Sequence, residues 1–341
     1  MLQELLVTPR FNEKVDPMLG IWTWEISVYL FLGGLTAGII VFAALALLRQ
    51  KEGERSFSAD ALALWAPIAL SLGMTTLFLD LEHKLFVFRF YTTFQPSSPM
   101  SWGAWVLIVI YPVTILQILS TLRQGYPLAA GLVDRFALGR WVLDLANRYK
   151  RPIAIVAIPS AVALGIYTGI LLSAFNARPF WNSGLLGVLF LVSGLSTAAA
   201  FVILMAKDKT EKRWYVQADL GLILVELVIV VLLLINLATG SQQHLQALAY
   251  LTSLNGYALA FWVLFMGMGL LLPLVVEFME LVKENRIMAL MGPILVLLGG
   301  YALRHVTVNL GQETAWQDYG YEHNPQLLER VKTNYADGEI K

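Results

Sequence analysis

Eight stretches of this chain are long and apolar enough to cross a bilayer, at about residues 25–48, 61–80, 102–122, 152–175, 183–205, 217–239, 252–278 and 287–309. Each is near the roughly 20 residues a spanning helix needs. Inside hydrocarbon a single segment must satisfy its own backbone N–H and C=O groups, and only a helix does so. The expected fold is therefore an all-α integral membrane protein with eight transmembrane helices. Composition agrees, with 57% hydrophobic and 14% charged residues against about a quarter charged in soluble domains. The lipid bilayer is its first partner. A net charge of zero and the lack of a basic tract give no reason to invoke nucleic acid. The seventh stretch is long and contains Pro273, which predicts a tilt or a kink.

Orientation follows from the basic residues of the connections. The loops after helices one, three, five and seven hold fifteen Lys and Arg, and the other side, tails included, holds eight. The richer side is assigned to the cytoplasm, so both termini are expected to be extracytoplasmic. The first spanning stretch has no short cleavable pattern and is read as retained. This gives an outer tail over 1–24, a first four-helix unit over 25–175, a second over 176–309 and an outer tail over 310–341. An internal echo supports two parallel units or bundles: Leu30-Phe-Leu-Gly-Gly-Leu-Thr-Ala in helix one against Leu189-Phe-Leu-Val-Ser-Gly-Leu-Ser-Thr-Ala in helix five. The longest cytoplasmic loop contains an amphipathic stretch, Arg135 to Asp144, suited to lying along the surface.

The chemistry gathers at the outer end. Between helices two and three lies a polar lid, Asp80-Leu-Glu82-His83, Arg89 and Pro96-Ser-Ser-Pro99-Met-Ser-Trp102-Gly103. Helix one brings Glu25 and Tyr29 to the same end, four residues apart and on one face. Helix four ends with Tyr167 and Ser173 and is followed by Arg178 and Trp181, while helix eight carries Arg304-His305. An arginine within a span should face a partner or a cavity. An apolar cleft with aromatic walls and a proton-exchanging carboxylate or histidine suits a quinone headgroup. Two-electron quinol oxidation releases two protons, so a base beside the hydroxyl is a chemical requirement, and Glu25 and His83 are the candidates. The bland alternative, wetted interface residues, applies most to Asp80, Glu82 and Lys84.

A second set lies deeper. Asp219 and Glu226 in helix six are seven residues apart, two turns on one face and roughly 10 Å along the axis. Glu277 stands near the inner end of helix seven. Such carboxylates read as relay groups, the alternative being interfacial salt bridges to Lys212, Arg213 or Lys283 for Asp219 and Glu277. The chain has no cysteine, so no iron–sulfur cluster is carried here. Paired intramembrane histidines for haem and metal-ligand motifs are likewise missing from the sequence.

The ordered set Tyr29-Leu-Phe-Leu-Gly-Gly-Leu-Thr-Ala-Gly38, Asp80-Leu-Glu-His83 with Ser98-Pro-Met-Ser-Trp-Gly103, and Thr168-Gly-Ile-Leu-Leu-Ser173 with Arg178-Pro-Phe-Trp181 resembles the NrfD/PsrC family. These are membrane subunits of polysulfide-reductase-type respiratory complexes in bacterial or archaeal cytoplasmic membranes. The resemblance implies a haem-free subunit that binds quinone, menaquinone or ubiquinone. Its partners would be a four-cluster iron–sulfur protein and a molybdopterin oxidoreductase or multihaem cytochrome. Tyr29 and Tyr167 stand at the family's headgroup-contacting positions, with Asp80, Arg178, Trp181 and Arg304 around them. Some relatives carry histidine at the position of Tyr29, which adds weight to Glu25 and His83 as proton acceptors. Apart from the resemblance, the position of Asp219 and Glu226 inside helix six makes them candidates for a proton half-channel toward the cytoplasm. The rival readings are a secondary transporter, which usually shows paired Gly/Pro interruptions near mid-membrane, and a passive membrane anchor.

Overall fold

A computed structural model of the chain describes residues 22–314 apart from 52, 254 and 284, with backbone alone at 242. Most of the 1–24 tail, and the 310–341 tail beyond 314, lie outside the described residues. Eight helices have membrane-spanning length and apolarity: α1 (Trp24–Arg49), α2 (Leu62–Asp80), α3 (Pro99–Gly125), α4 (Lys150–Ser173), α5 (Leu185–Met205), α6 (Lys209–Thr239), α7 (Gly256–Val282) and α8 (Met288–Glu313). No strand occurs among the described residues.

Two helices form the centre. The apolar windows of α1 and α5 are 78% and 67% buried, against half or less for the other six. Helix α1 packs on α2, α4, α5 and α8, and α5 packs on α1, α4, α6 and α8. Glycine makes their crossing close. A Cβ on Gly194 would lie 2.6 Å from the Gly34 carbonyl oxygen, and one on Gly38 would overlap Gly194 and Ala198. Small residues allow such backbone approach in a membrane, where packing rather than hydrophobic burial drives association. The two echoed sequences therefore touch each other at their glycines.

Helix α7 departs from regular geometry ahead of its proline. Ala260–Leu271 winds as a π-helix, and the Leu272 N–H donates to the Gly267 carbonyl five residues back. Pro273 has no N–H to offer an α-helical ladder, and the wider turn takes up the difference. Gly269 in this stretch meets Gly299 of α8 backbone to backbone.

The connections are structured too. The lid after α2 forms a short turn of 3₁₀-helix, Lys84–Phe86, and a single helical turn, Arg89–Thr92. The α3–α4 connection contains helices Pro127–Val133 and Ala137–Arg148. His244 caps the helix Gln242–Thr252 reciprocally with Ser241. The start of α1 meets the end of α8: Trp22 N–H donates to Gln312 Oε1 at 2.9 Å, and Gln312 Nε2 donates back to the Trp22 carbonyl at 2.8 Å.

Candidate functional site

Where α1 and α3 begin and α2 and α4 end, the helices leave a cavity of about 190 Å³. Tyr29 of α1, Asp80 at the last turn of α2, Tyr91 of the lid, Met100 and Gly103 of α3 and Tyr167 of α4 line it. The rest of its wall is apolar, including Ile26, Leu30, Met74 and Leu172. Tyr29 and Tyr167 are buried, because each occupies the inward face of its helix. Tyr29 interacts electrostatically with both Tyr91 and Tyr167, so three phenols cluster in one chamber. Gly103 leaves the space that the Tyr167 ring occupies. Neither the Tyr29 nor the Tyr167 hydroxyl, nor the Asp80 carboxylate, is hydrogen-bonded to a described residue. Burial, reinforced by Tyr111, pushes the Tyr91 hydroxyl above its ordinary range. It stays a proton donor at neutral pH.

The two residues expected to exchange protons stand outside this chamber. Glu25 is one turn before Tyr29, accepts a hydrogen bond from Thr23 Oγ1, and is close enough to Asp80 for their charges to interact. His83 is exposed, edge-on to Phe86, and lines a second, outer cavity of about 630 Å³ with Glu82, Arg89 and Ser101. Leu81, Phe90 and Met100 line both cavities. They form a thin apolar partition between phenols and histidine.

Arg178 and Trp181 sit one layer back. Arg178 Nη1 donates to the Gln312 and Thr314 carbonyls, at 2.8 and 3.3 Å, and Trp181 Nε1 donates to the Thr307 carbonyl at 2.7 Å. They fasten the α4–α5 loop to the end of α8. Trp181 also rests against Trp22, centroids 5.2 Å apart, and Trp22 reaches the chamber wall.

Arg304 is not at the chamber but in the interior, fully buried where α1, α5 and α8 meet. Its Nη1 donates to Ser193 Oγ at 2.6 Å and to the Gly300 carbonyl at 2.9 Å, and Nη2 donates to the Phe190 carbonyl at 2.9 Å. Glu226 of α6 interacts with the same guanidinium and the same serine. Further along α6, Asp219 accepts from Ser196 Oγ at 2.5 Å and interacts electrostatically with Glu277 of α7. Asp219, Glu226 and Glu277 are at most 1% exposed. No ion pair joins them to Lys212, Arg213 or Lys283, so the interfacial salt-bridge alternative is not what the structure shows. The acids line up from Arg304 toward the end of the bundle where α6 begins.

Tyr91 of the lid was not singled out from sequence. Its only signal was the density of aromatic side chains from Phe86 to Trp105, which reads equally as an interfacial belt.

Comparison with known proteins yields a family model described as polysulphide reductase, NrfD, which matches residues 12–315. The protein is 31% identical over 309 residues to a polysulfide reductase chain of Wolinella succinogenes, an overlap of 86% of its own length and 94% of the relative's. It is 28% identical over 275 residues to protein NrfD of Escherichia coli, with overlaps of 75% and 84%. It is 25% identical over 352 residues to a selenate reductase subunit of Mesobacillus selenatarsenatis, with overlaps of 90% and 80%.

Proposed function

The chain belongs to the NrfD family of polysulphide reductases, and from that premise we propose that it is the quinone-binding membrane subunit of a respiratory oxidoreductase complex. The observation that carries this reading is the convergence of Tyr29, Tyr167 and Asp80, none hydrogen-bonded to a described residue, on one apolar chamber. Sites for drug-sized ligands span roughly 300–1,000 Å³. A chamber of about 190 Å³ fits a single ring rather than a flavin or a dinucleotide. Half-exposed Phe78, in the part of the wall away from the partition, leaves a lipid-side opening for an apolar tail.

A quinol bound there would supply two electrons and two protons. The phenols of Tyr29 and Tyr167 orient the ring by hydrogen bonds to its oxygens, and the Asp80 carboxylate accepts a proton. Glu25, beside Asp80, and His83, across the partition, pass protons between chamber and water. Arg178 and Trp181 hold the α8 end against the chamber's back wall. Arg304 sets the field along α6, where Glu226, Asp219 and Glu277 offer a proton path to the opposite side of the membrane.

On this reading the chamber lies at the extracytoplasmic face of a bacterial or archaeal cytoplasmic membrane. Electrons pass to a four-cluster iron–sulfur protein and on to a molybdopterin oxidoreductase or a multihaem cytochrome. The relatives from polysulfide and selenate reductases are themselves named as one chain or subunit among others, which supports such an assembly.

The test is quenching of a fluorescent quinol-site inhibitor by the purified protein. Saturable binding is expected in the wild type and a loss of at least about tenfold, one good hydrogen bond to a charged or polar partner, in Tyr167→Phe combined with Asp80→Asn. Glu25→Gln and His83→Ala should slow turnover in the assembled complex while binding persists. Wild-type binding by a folded Tyr29→Phe, Asp80→Asn, Tyr167→Phe variant would reduce the protein to a passive anchor.

A further inference from the structure

The connection between α3 and α4 carries a surface that the chemistry above does not use. Along Ala137–Arg148 the side chains fall into three arcs of a helix with 3.6 residues per turn. Leu143 and Ala146 are buried, Leu143 packing with Leu122 of α3 and with Ala130. The next arc is Leu138, Trp141, Leu145 and Tyr149, 72%, 60%, 41% and 49% exposed. The third is polar, with Arg140, Asp144, Asn147 and Arg148 exposed, and Arg151 is exposed in the first turn of α4 just beyond it. One helix thus has a face against protein, an adjoining apolar face with no described residue over it, and a basic face beyond. Phe136 and Leu128, 71% and 90% exposed, extend the apolar side.

Charge says what covers that face. The only acids between residues 126 and 151 are Asp134 and Asp144. Both are bound by Arg123, at 2.7 and 2.6 Å. Arg135, Arg140, Arg148, Lys150 and Arg151 make no ion pair with a described residue. Five cations therefore flank an apolar stripe at the end of two spanning helices. A helix of this make-up lies at the headgroup–acyl boundary, and basic residues there attract anionic lipid.

We infer that the 127–151 segment is an anionic-phospholipid platform, with Leu138, Trp141 and Leu145 among the acyl chains and the five basic side chains on lipid phosphates. The occupant is the bilayer leaflet on the side where α3 ends, not a soluble protein or a second copy of the protein. Arg123 has a defined part in this: by occupying both acids it leaves the segment's remaining charge positive.

The absence of cysteine makes a fluorophore attached through Leu138→Cys unique. The labelled full-length protein is reconstituted in vesicles containing quencher-bearing phosphatidylglycerol or, at equal mole fraction, quencher-bearing phosphatidylcholine. The anionic lipid should quench severalfold better. Arg140→Gln, Arg148→Gln and Arg151→Gln should each lower that preference in part, and the triple variant should abolish it. The corresponding Lys variants should retain it, and a label at lipid-facing Ile115 of α3 should show none. Equal quenching by the two lipids would overturn the proposal. So would a label that neither lipid reaches, since another protein surface would then cover the stripe.

Discussion

Gly103 on α3 and Tyr167 on α4 share one space: a Cβ on residue 103 would fall within the tyrosine ring. The missing side chain lets the phenol stand in the chamber wall. Gly103→Ala is expected to push the ring off its rotamer, and overpacking of this kind costs about 1–3 kcal/mol. Thermal unfolding in detergent should shift down accordingly, and inhibitor affinity should fall to that of Tyr167→Phe. Unaltered affinity in a folded Gly103→Ala protein would remove Tyr167 from the site.

The α1–α5 crossing gives a second contrast. Gly194→Ala must part the two central helices, because its Cβ would lie 2.6 Å from the Gly34 oxygen and 3.0 Å from the Gly34 Cα. Gly221 on α6 has no atom within 4 Å of the same added carbon. Alanine there is expected to stabilise by up to about 1 kcal/mol through helix propensity. Opposite shifts of the unfolding midpoint for the two variants are the expected result. Equal shifts would mean that the glycine contact is not what holds α1 to α5.

Eight apolar segments were legible in the sequence because the bilayer imposes one length and one composition on each. The glycine echo was legible as a pattern, but its meaning, a contact between the two copies, needed coordinates. Site residues divide by the same logic. Tyr29, Asp80 and Tyr167 sit at helix ends, where position along a spanning segment fixes depth, and they meet in one chamber. His83 is in the lid, whose path no periodicity fixes, and it falls on the far side of a partition. Arg304, placed near the end of its helix from sequence, is met by Ser193 and Glu226 in the interior instead. Which partner a buried charge finds depends on helix rotation, and a single apolar helix with little amphipathicity does not declare its rotation.

A pH effect is expected on the surface connection. Arg123 hydrogen-bonded to Asp134 holds that carboxylate below its usual range. A depressed folded-state value contributes stability that is present above the unfolded value of about 3.9 and is lost as pH falls through the folded one. Protection of the 127–148 segment from limited proteolysis should therefore be flat from about pH 8 to 5 and decline below about pH 4. Asp134→Asn should remove that decline and lower protection at neutral pH. A decline of the same size in the Asn variant would assign it to other groups.

Arg304 and Glu226 allow stability and transport to be separated. The guanidinium has three hydrogen bonds to Ser193, Gly300 and Phe190, and Gly34 leaves it room, a Cβ there lying 2.9 Å from Nη2. A hydrogen bond to a charged group contributes about 1.5–3 kcal/mol, so Arg304→Ala, which loses all three, should be severely destabilised. Lysine does not restore it, because a single ammonium does not reach acceptors on two helices in the guanidinium's fork geometry. Glu226→Gln keeps a polar group at Ser193 and leaves the arginine its three acceptors, so its unfolding midpoint should stay much closer to wild type. That variant then reports on transport alone. In proteoliposomes holding the assembled complex, quinol-dependent electron flow should persist in Glu226→Gln while the number of protons moved per electron pair falls. An unchanged proton ratio would take Glu226 out of any path and leave it a structural counter-charge for Arg304.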